Sequence, residues 1–345
     1  MPPEPSVAFA PGRVNLIGEH TDYNHGLALP FAIAEGVTVR ASAARAGWIY
    51  AHARDLGEQD RFAIADPQPC EGWRAFVRGA VAELTGAGVT LAGARLDISG
   101  QVPSGSGLSS SAALEVALCM ALIALSGGPT LERMQIARLC SRVENEWVGA
   151  NTGLLDQIAS LYGAADTALC IDFRTLSVQP VALALEGWRL AVLDSGERHA
   201  HASSGYNQRR AECARACELL GIGSLRDARE AQIAELPEPL RSRAAHVLAE
   251  NRRVRDAVAA LAARDMAALG ELLNASHASL RDLYEVSTPA VEATVQRMRA
   301  VGATGARIVG GGFGGSVLGL FAPGAQPPPG AREVRPGAGA HLLGR

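Results

Sequence analysis

The sequence contains no lysine: all 32 of its basic side chains are arginine. That absence removes two classes of phosphate-handling protein. The common phosphate loop, G-x-x-x-x-G-K-[ST], ends in a lysine that reaches the terminal phosphates, and protein kinases need a lysine on a strand. Neither can be built from this chain. Other absences narrow the field further. No apolar run approaches the roughly 18 residues of a bilayer span, so no membrane segment is expected. The chain opens on a proline-rich stub where a secretory leader would carry a charged and then an apolar stretch, and a soluble cytoplasmic protein is the expectation. Six cysteines, at 70, 119, 140, 170, 213 and 217, form no C-x-x-C pairs with histidines at zinc spacing. Buried, reduced thiols follow, with Cys213 and Cys217 read as packing on one helix face. A net charge of −3 offers no basic surface to nucleic acid, and 48% hydrophobic residues are too many for a disordered chain. What remains is small-molecule chemistry in a chain of 345 residues, long enough for two domains or one two-lobed body.

What is present is glycine, 38 residues of it, gathered at junctions between regular elements. Short β-rich stretches at 7–9, 14–17, 28–33, 37–42 and 48–52 make a strand-rich opening. Helical spacing follows over 73–85, then a strand over 94–98. Two helices are expected over 112–125 and 130–147, the second capped by Thr130, then a short helix after Gly153 and strands over 168–172 and 188–194. A first domain should end near residue 180. Long helices occupy most of 206–275, with breaks at Gly221, Gly223 and the Pro237/Pro239 pair, and a strand, a glycine turn and a further element run from 307 to 321.

Four constellations carry chemistry. Arg13-Val14-Asn15-Leu16-Ile17-Gly18-Glu19-His20-Thr21-Asp22-Tyr23-Asn24 crowds charged and polar groups immediately after an apolar strand. Carboxylates and an imidazole can address several ring hydroxyls of a sugar at fixed angles, although a solvated turn is also compatible. Val102-Pro103-Ser104-Gly105-Ser106-Gly107-Leu108-Ser109-Ser110-Ser111-Ala112-Ala113 follows a strand and enters a helix. Its glycines turn backbone N–H groups toward one point and the helix adds its positive end, which makes a phosphate cradle; a strand-to-helix turn with serine caps is the plainer alternative. With lysine absent, backbone amides, arginines and a metal would have to neutralise a nucleotide. Serine hydroxyls suit Mg²⁺, and Glu144 or Glu146 could add a carboxylate. The third constellation is Asp156 after Gly153, either a general base for an alcohol or a helix cap. Arg13, if the fold brings it near, would keep that base ionised. The fourth is the glycine run over 310–315, which permits close backbone approach.

Three of these stretches resemble galactokinases, a family of the GHMP small-molecule kinase superfamily, in the family's order and over nearly the whole chain. Residues 10–24 are similar to the galactokinase signature, 105–116 to the second motif and 310–315 to the third. The resemblance implies an α+β, two-lobed GHMP kinase fold: an N-terminal ribosomal-protein-S5-domain-2-like lobe over residues 1–180 and a C-terminal α+β lobe with antiparallel sheet over 181–345. It implies that Glu19, His20, Thr21, Asp22, Gly153 and Tyr206 lie at the sugar. Gly105, Ser106, Gly107, Leu108, Ser109, Ser110 and Ser111 would hold the phosphates, with Trp73 near the nucleotide. Ser111 and Glu144 would bind Mg²⁺, Asp156 would be the base and Arg13 its transition-state partner. The implied reaction is phosphoryl transfer from Mg-ATP to the anomeric hydroxyl of α-D-galactose, giving galactose 1-phosphate, by a monomer.

Asn151-Thr152 departs from what many relatives carry before Gly153, which leaves sugar selectivity the most exposed expectation. N-acetylgalactosamine and arabinose are the nearest rival substrates. A sensor that binds ATP and galactose without turnover is a rival of another class; the intact Ser111-Ala112-Ala113 favours an active enzyme. An ATP-dependent decarboxylase of the superfamily is disfavoured, because Glu19-His20-Thr21-Asp22 suits a polyol better than a branched acid phosphate.

Overall fold

The computed structural model describes residues 4–102, 107–128, 131–150, 152–197 and 202–344. The chain begins with β1 (Ser6–Asn15), β2 (Leu27–Ala28), β3 (Pro30–Ala43), β4 (Trp48–Ala53), β5 (Glu58–Ala63), helix α1 (Trp73–Gly86) and β6 (Ala94–Gly100). Next come α2 (Ser110–Ser126), α3 (Arg133–Arg142), α4 (Leu155–Tyr162), β7 (Thr167–Asp172), β8 (Ser177–Ala182) and β9 (Arg189–Asp194). The remainder is α5 (Ala202–Leu220), α6 (Glu230–Ala234), α7 (Leu240–Ala262), α8 (Met266–Asp282), α9 (Pro289–Ala300), β10 (Ala303–Ile308), β11 (Ser316–Phe321), β12 (Arg332–Val334) and β13 (His341–Leu342).

Six strands form one sheet in the order β13-β1-β3-β6-β4-β5, antiparallel except where β4 lies parallel to β6. Helices α1 to α4 cover it. Helix α2 is apolar on almost every side and is therefore central rather than amphipathic: Ala113, Val116, Leu118 and Leu122 are all fully buried in this core. A second sheet, β10-β11-β9-β12, is wholly antiparallel and packs against the helices of the C-terminal half. Between the two lies a third apolar cluster in which Val14, Leu16 and Phe31 meet Leu273, Leu318 and Leu320. This shared core fixes the lobes against each other, and the polar cavity described below opens beside it.

Two local irregularities position chemistry. The pairing of β1 with β3 shifts register between Pro11 and Arg13. Proline has no N–H to give the ladder, and the bulge leaves the Arg13 N–H free to donate to the Leu108 carbonyl at 3.1 Å. Gly12 is required there, since a Cβ would stand 2.5 Å from the same carbonyl. The second irregularity corrects the expected helix over 130–147. Thr130 lies outside the described residues; α3 starts at Arg133, where Glu132 and Gln135 satisfy each other's backbone N–H groups in a capping box. Past Arg142 the chain widens into one π-helical turn, Val143–Val148, which turns the Glu144 side chain inward.

Other elements were not legible. The expected strand at 307–309 begins at Ala303, and α9 follows a Thr288-Pro289 start, with Thr288 capping Val291. The tail is not merely a loop: β13 pairs with β1, Ala8 opposite Leu342, so the last strand returns to the first sheet. All six cysteines are free thiols, three of them buried. Among the described residues, no helix is long and apolar enough to cross a membrane.

Candidate active site

A cavity of about 290 Å³ is lined by Arg13, Glu19, His20, Asp22, Gly153, Asp156, Tyr206 and the backbone of Gly310, Gly311 and Gly312. Five separate segments converge there: the end of β1, the loop after it, the start of α4, α5, and the glycine run between β10 and β11. Arg13 Nε donates to Asp156 Oδ1 at 2.8 Å and Nη2 to Oδ2 at 2.9 Å, while Nη1 reaches the Gly107 carbonyl at 2.7 Å. This forked contact spends the guanidinium's planar geometry on one carboxylate and one turn of the glycine loop. The Ser109 hydroxyl donates to Asp156 as well.

These contacts bear on the two helix-cap readings. Ser109 stands at the N-cap of α2 with φ of 58°, yet makes no side-chain cap; its hydroxyl goes to Asp156. The residue before α4 is Leu154, without a side-chain cap, and Asp156 faces Arg13 instead of the helix end. Neither side chain terminates a helix: Asp156 lines the cavity and Ser109 bonds to it.

The sugar-signature loop is held from beneath. Glu19 Oε1 accepts from the Gly310 N–H at 2.8 Å and lies 3.1 Å from Nη2 of the fully buried Arg307. Arg307 Nη1 donates to the Asn15 and Leu16 carbonyls at 2.8 and 3.1 Å. Glu250, on α7, accepts from the Gly18 N–H at 3.0 Å, from Ser276 at 2.7 Å and from Arg253 at 2.6 Å. Burial works against its charge, but Arg253, His246, Arg307 and these donors prevail and hold the carboxyl at about 2. Thr21 does not line the cavity: it is fully buried, its hydroxyl bonded to the Gly18 and Leu27 carbonyls at 2.9 and 2.7 Å. Arg307 and Glu250 carried no motif signal; Arg307 is an isolated charge in an apolar stretch, whereas Glu250 stands among the arginines of a charged helix and left no trace.

Asp22 and His20 have opposite perturbations with one main cause. Burial pushes the Asp22 carboxyl up to about 6, opposed by the Tyr23 N–H and reinforced by the charges of Asp156 and Glu19. Burial lowers His20 to about 3, with His246 adding to the effect, so its imidazole is neutral at pH 7. Gly153 lies against Asp22 so closely that any Cβ would overlap the carboxylate. Gly311 meets the Tyr206 ring in the same way, 3.0 Å from where a Cβ would stand.

Across the Leu108–Ser111 turn lies a second cleft, about 850 Å³, lined by Leu56, Trp73, Phe76, Val102, Ser110, Ser111 and Leu114 among others. The expected Trp73 and serine loop therefore face one space, although 55 residues of sequence contain no motif linking Leu56 to Ser111. Gly105 and Ser106 lie outside the described residues. Gly107 is described, with φ of 74°, a conformation glycine adopts without strain. Ser111 Oγ donates to Glu144 Oε1 at 3.0 Å; Glu144 Oε2 accepts from Thr152 at 2.7 Å and Gln157 at 2.9 Å. Burial, with the charge of Asp156 next, raises the Glu144 carboxyl. A hydroxyl and a carboxylate held side by side in a buried, uncompensated acidic setting are a donor set that Mg²⁺ suits, its other positions going to water and phosphate.

Comparisons with known proteins agree with this geometry. Residues 75–164 match the N-terminal domain of GHMP kinases, 257–337 the GHMP kinase C-terminal model, and 2–43 the galactokinase galactose-binding signature. A curated galactokinase of Mycobacterium tuberculosis is 44% identical over 318 residues, 90% of this chain and 87% of its own. One from Roseiflexus is 44% identical over 325 residues, covering 91% of this chain and 83% of that protein. The crystal structure of Lactococcus lactis galactokinase complexed with galactose superposes with a TM-score of 0.92 at 32% identity, over 99% of this chain and 95% of that one. With all three family models matched and relatives 44% identical over most of its length, the chain belongs to the galactokinase family of GHMP kinases.

Proposed function

We infer that this protein transfers the γ-phosphoryl group of ATP to the anomeric hydroxyl of α-D-galactose, releasing ADP and galactose 1-phosphate. The carrying observation is the forked Arg13–Asp156 contact in the wall of the polar cavity, tied through Ser109 to the turn whose Ser110 and Ser111 line the apolar cleft. A carboxylate so placed can take the proton of a sugar hydroxyl while a phosphoryl group arrives from the side of that turn. Arg13 orients the Asp156 carboxylate through its forked contact and lies where charge builds on the transferring group. Glu19, His20, Asp22, Tyr206 and the Gly153 backbone address the sugar hydroxyls, and Thr21 acts through the shape of the loop. Gly105, Ser106, Gly107, Leu108, Ser109, Ser110 and Ser111 cradle the phosphates through backbone N–H groups and the positive end of α2. Trp73 flanks the base. Ser111 and Glu144 would hold Mg²⁺, which supplies the positive charge that lysine provides in other phosphate loops. A first lobe ending near residue 180, action as a monomer and a cytoplasmic location belong to the same reading.

A coupled ADP-release assay with Mg-ATP tests it, with galactose beside glucose, N-acetylgalactosamine, arabinose and mevalonate. Turnover on galactose above the other compounds is expected. A preference for N-acetylgalactosamine or arabinose would move the substrate, and silence on every compound with galactose still raising the melting temperature would make the protein a sensor.

A further inference from the structure

Behind the cavity wall a chain of polar side chains runs inward from His20, and no step above uses it. Tyr23 Oη lies 2.8 Å from His20 Nδ1, Tyr284 Oη 3.0 Å from Tyr23 Oη, and Cys213 Sγ 3.0 Å from Tyr284 Oη. Asn24 Nδ2 donates to the same sulfur at 3.6 Å. Tyr284 and Cys213 are essentially inaccessible, so water does not compete for these bonds. The Tyr284 ring is clasped between two imidazoles, 4.7 Å from His20 and 4.4 Å from His246.

The direction of the chain can be counted. The sulfur accepts from Asn24, which leaves its S–H to donate to Tyr284. Tyr284 then donates to Tyr23, and Tyr23 to the basic Nδ1 of a neutral His20. Every hydrogen is used. In the reverse order the sulfur accepts twice and its hydrogen has no hydrogen-bonded acceptor among the described residues, while a phenol accepts from an imidazole to which it would more favourably donate. With Nδ1 an acceptor, the proton of the neutral ring sits on Nε2, which is buried beside the Gly311 carbonyl without a well-formed hydrogen bond.

We propose that Cys213, Tyr284 and Tyr23 are positioning residues that lock His20 in its Nε2–H tautomer, so that the ring turns a donor toward the Gly311 carbonyl of the glycine run that lines the cavity. An unlocked ring would turn a lone pair on that carbonyl instead, and the repulsion would shift the backbone of the cavity wall. The relay thereby holds the glycine run in the position that accepts the sugar. The sugar part of this proposal rests on the functional reading above, whereas the tautomer does not.

The test is ¹⁵N NMR of histidine-labelled protein, with the His20 signals assigned through a His20→Gln variant, beside steady-state kinetics. Wild type should show His20 protonated on Nε2 alone. Tyr23→Phe should give a mixture of tautomers, with KM for galactose about tenfold higher, kcat within about twofold and KM for ATP unchanged, as expected when one oriented hydrogen bond is lost. Cys213→Ser keeps a donor in place and should match wild type in both readouts. Should Tyr23→Phe not fold, Tyr284→Phe serves, since it also frees the Tyr23 hydroxyl to rotate. A wild-type His20 protonated on Nδ1, or a Tyr23→Phe protein with unchanged tautomer and KM, overturns the relay. An Nε2–H ring that Tyr23→Phe unlocks, in a protein silent on galactose, upholds the relay and overturns the functional reading instead.

Discussion

The two cavities on either side of the Leu108–Ser111 turn are built on opposite principles. In the polar cavity, proposed for the sugar, almost every polar group is pinned by another: Glu19 by Gly310 and Arg307, Asp156 by Arg13 and Ser109, His20 by Tyr23. In the cleft proposed for the nucleotide the lining is mostly apolar and loosely held, with Leu56 60% exposed and Trp73 tied through one hydrogen bond to Glu58. A small cavity with fixed donors and acceptors can discriminate between hydroxyl arrangements, because a misplaced hydroxyl leaves a buried group unpaired. A wide apolar cleft has little to enforce beyond stacking. Selectivity should therefore fail abruptly on the first side and gradually on the second.

The largest effect is expected at Asp156. Asp156→Asn retains the shape but cannot take a proton, and kcat should fall about a thousandfold with galactose binding largely kept, as stopped-time assays and calorimetric titration would show. If turnover stays within a few-fold of wild type, Asp156 is not the base. Next comes the packing of the sugar side alone. Gly153→Ala forces a methyl onto the Asp22 carboxylate, and KM for galactose should rise about thirtyfold while KM for ATP holds. Equal loss for both substrates would mean that the two cavities do not behave separately.

A smaller effect should come from the scaffold under the sugar loop. Glu250 is held at about 2 in the folded protein against an ordinary glutamate near 4.5, so its carboxylate contributes stability above pH ~4.5 that is lost as the pH falls toward 2. Glu250→Gln should cost about 1.5 kcal/mol at pH 7, and the gap from wild type in urea melts should close below pH ~3. A gap independent of pH would place its origin in packing. The mildest change is expected on the nucleotide side: Trp73→Ala should raise KM for ATP about fivefold and leave KM for galactose alone. A larger rise on the galactose side would erase the contrast between the cavities.

The legible part of the site was the part in contiguous motifs. Arg13, Glu19, His20 and Asp22 come from one twelve-residue stretch, and the structure places all four on the cavity wall. Gly153, Asp156 and Tyr206 join them from elsewhere in the chain. Thr21 shares the motif but faces inward, because in a tight loop neighbouring side chains cannot all point to one space. The strands and helices with clean periodicity, such as β6 and α1, were legible too, and α2 was legible as a long apolar run after the serines. Short β12 and β13 were not, since two or three residues carry no period, and their pairing depends on strands more than a hundred residues away.

By itself, then, the sequence determined the class of chemistry. Without lysine the common phosphate loop and the protein-kinase site are excluded, and three galactokinase-like motifs stand in the family's order. It also determined Arg13, Glu19, His20 and Asp22, four of the cavity's polar groups, whose types and spacing lie within a single stretch. Only the tertiary structure decided how those groups are held. Arg307 reaches Glu19 across 288 positions, Glu250 reaches Gly18 across 232, and Cys213, Tyr284 and Tyr23 meet from three different elements. Such partners leave no local pattern, because a buried charge or hydroxyl is constrained by what packs against it in space and not by its neighbours along the chain.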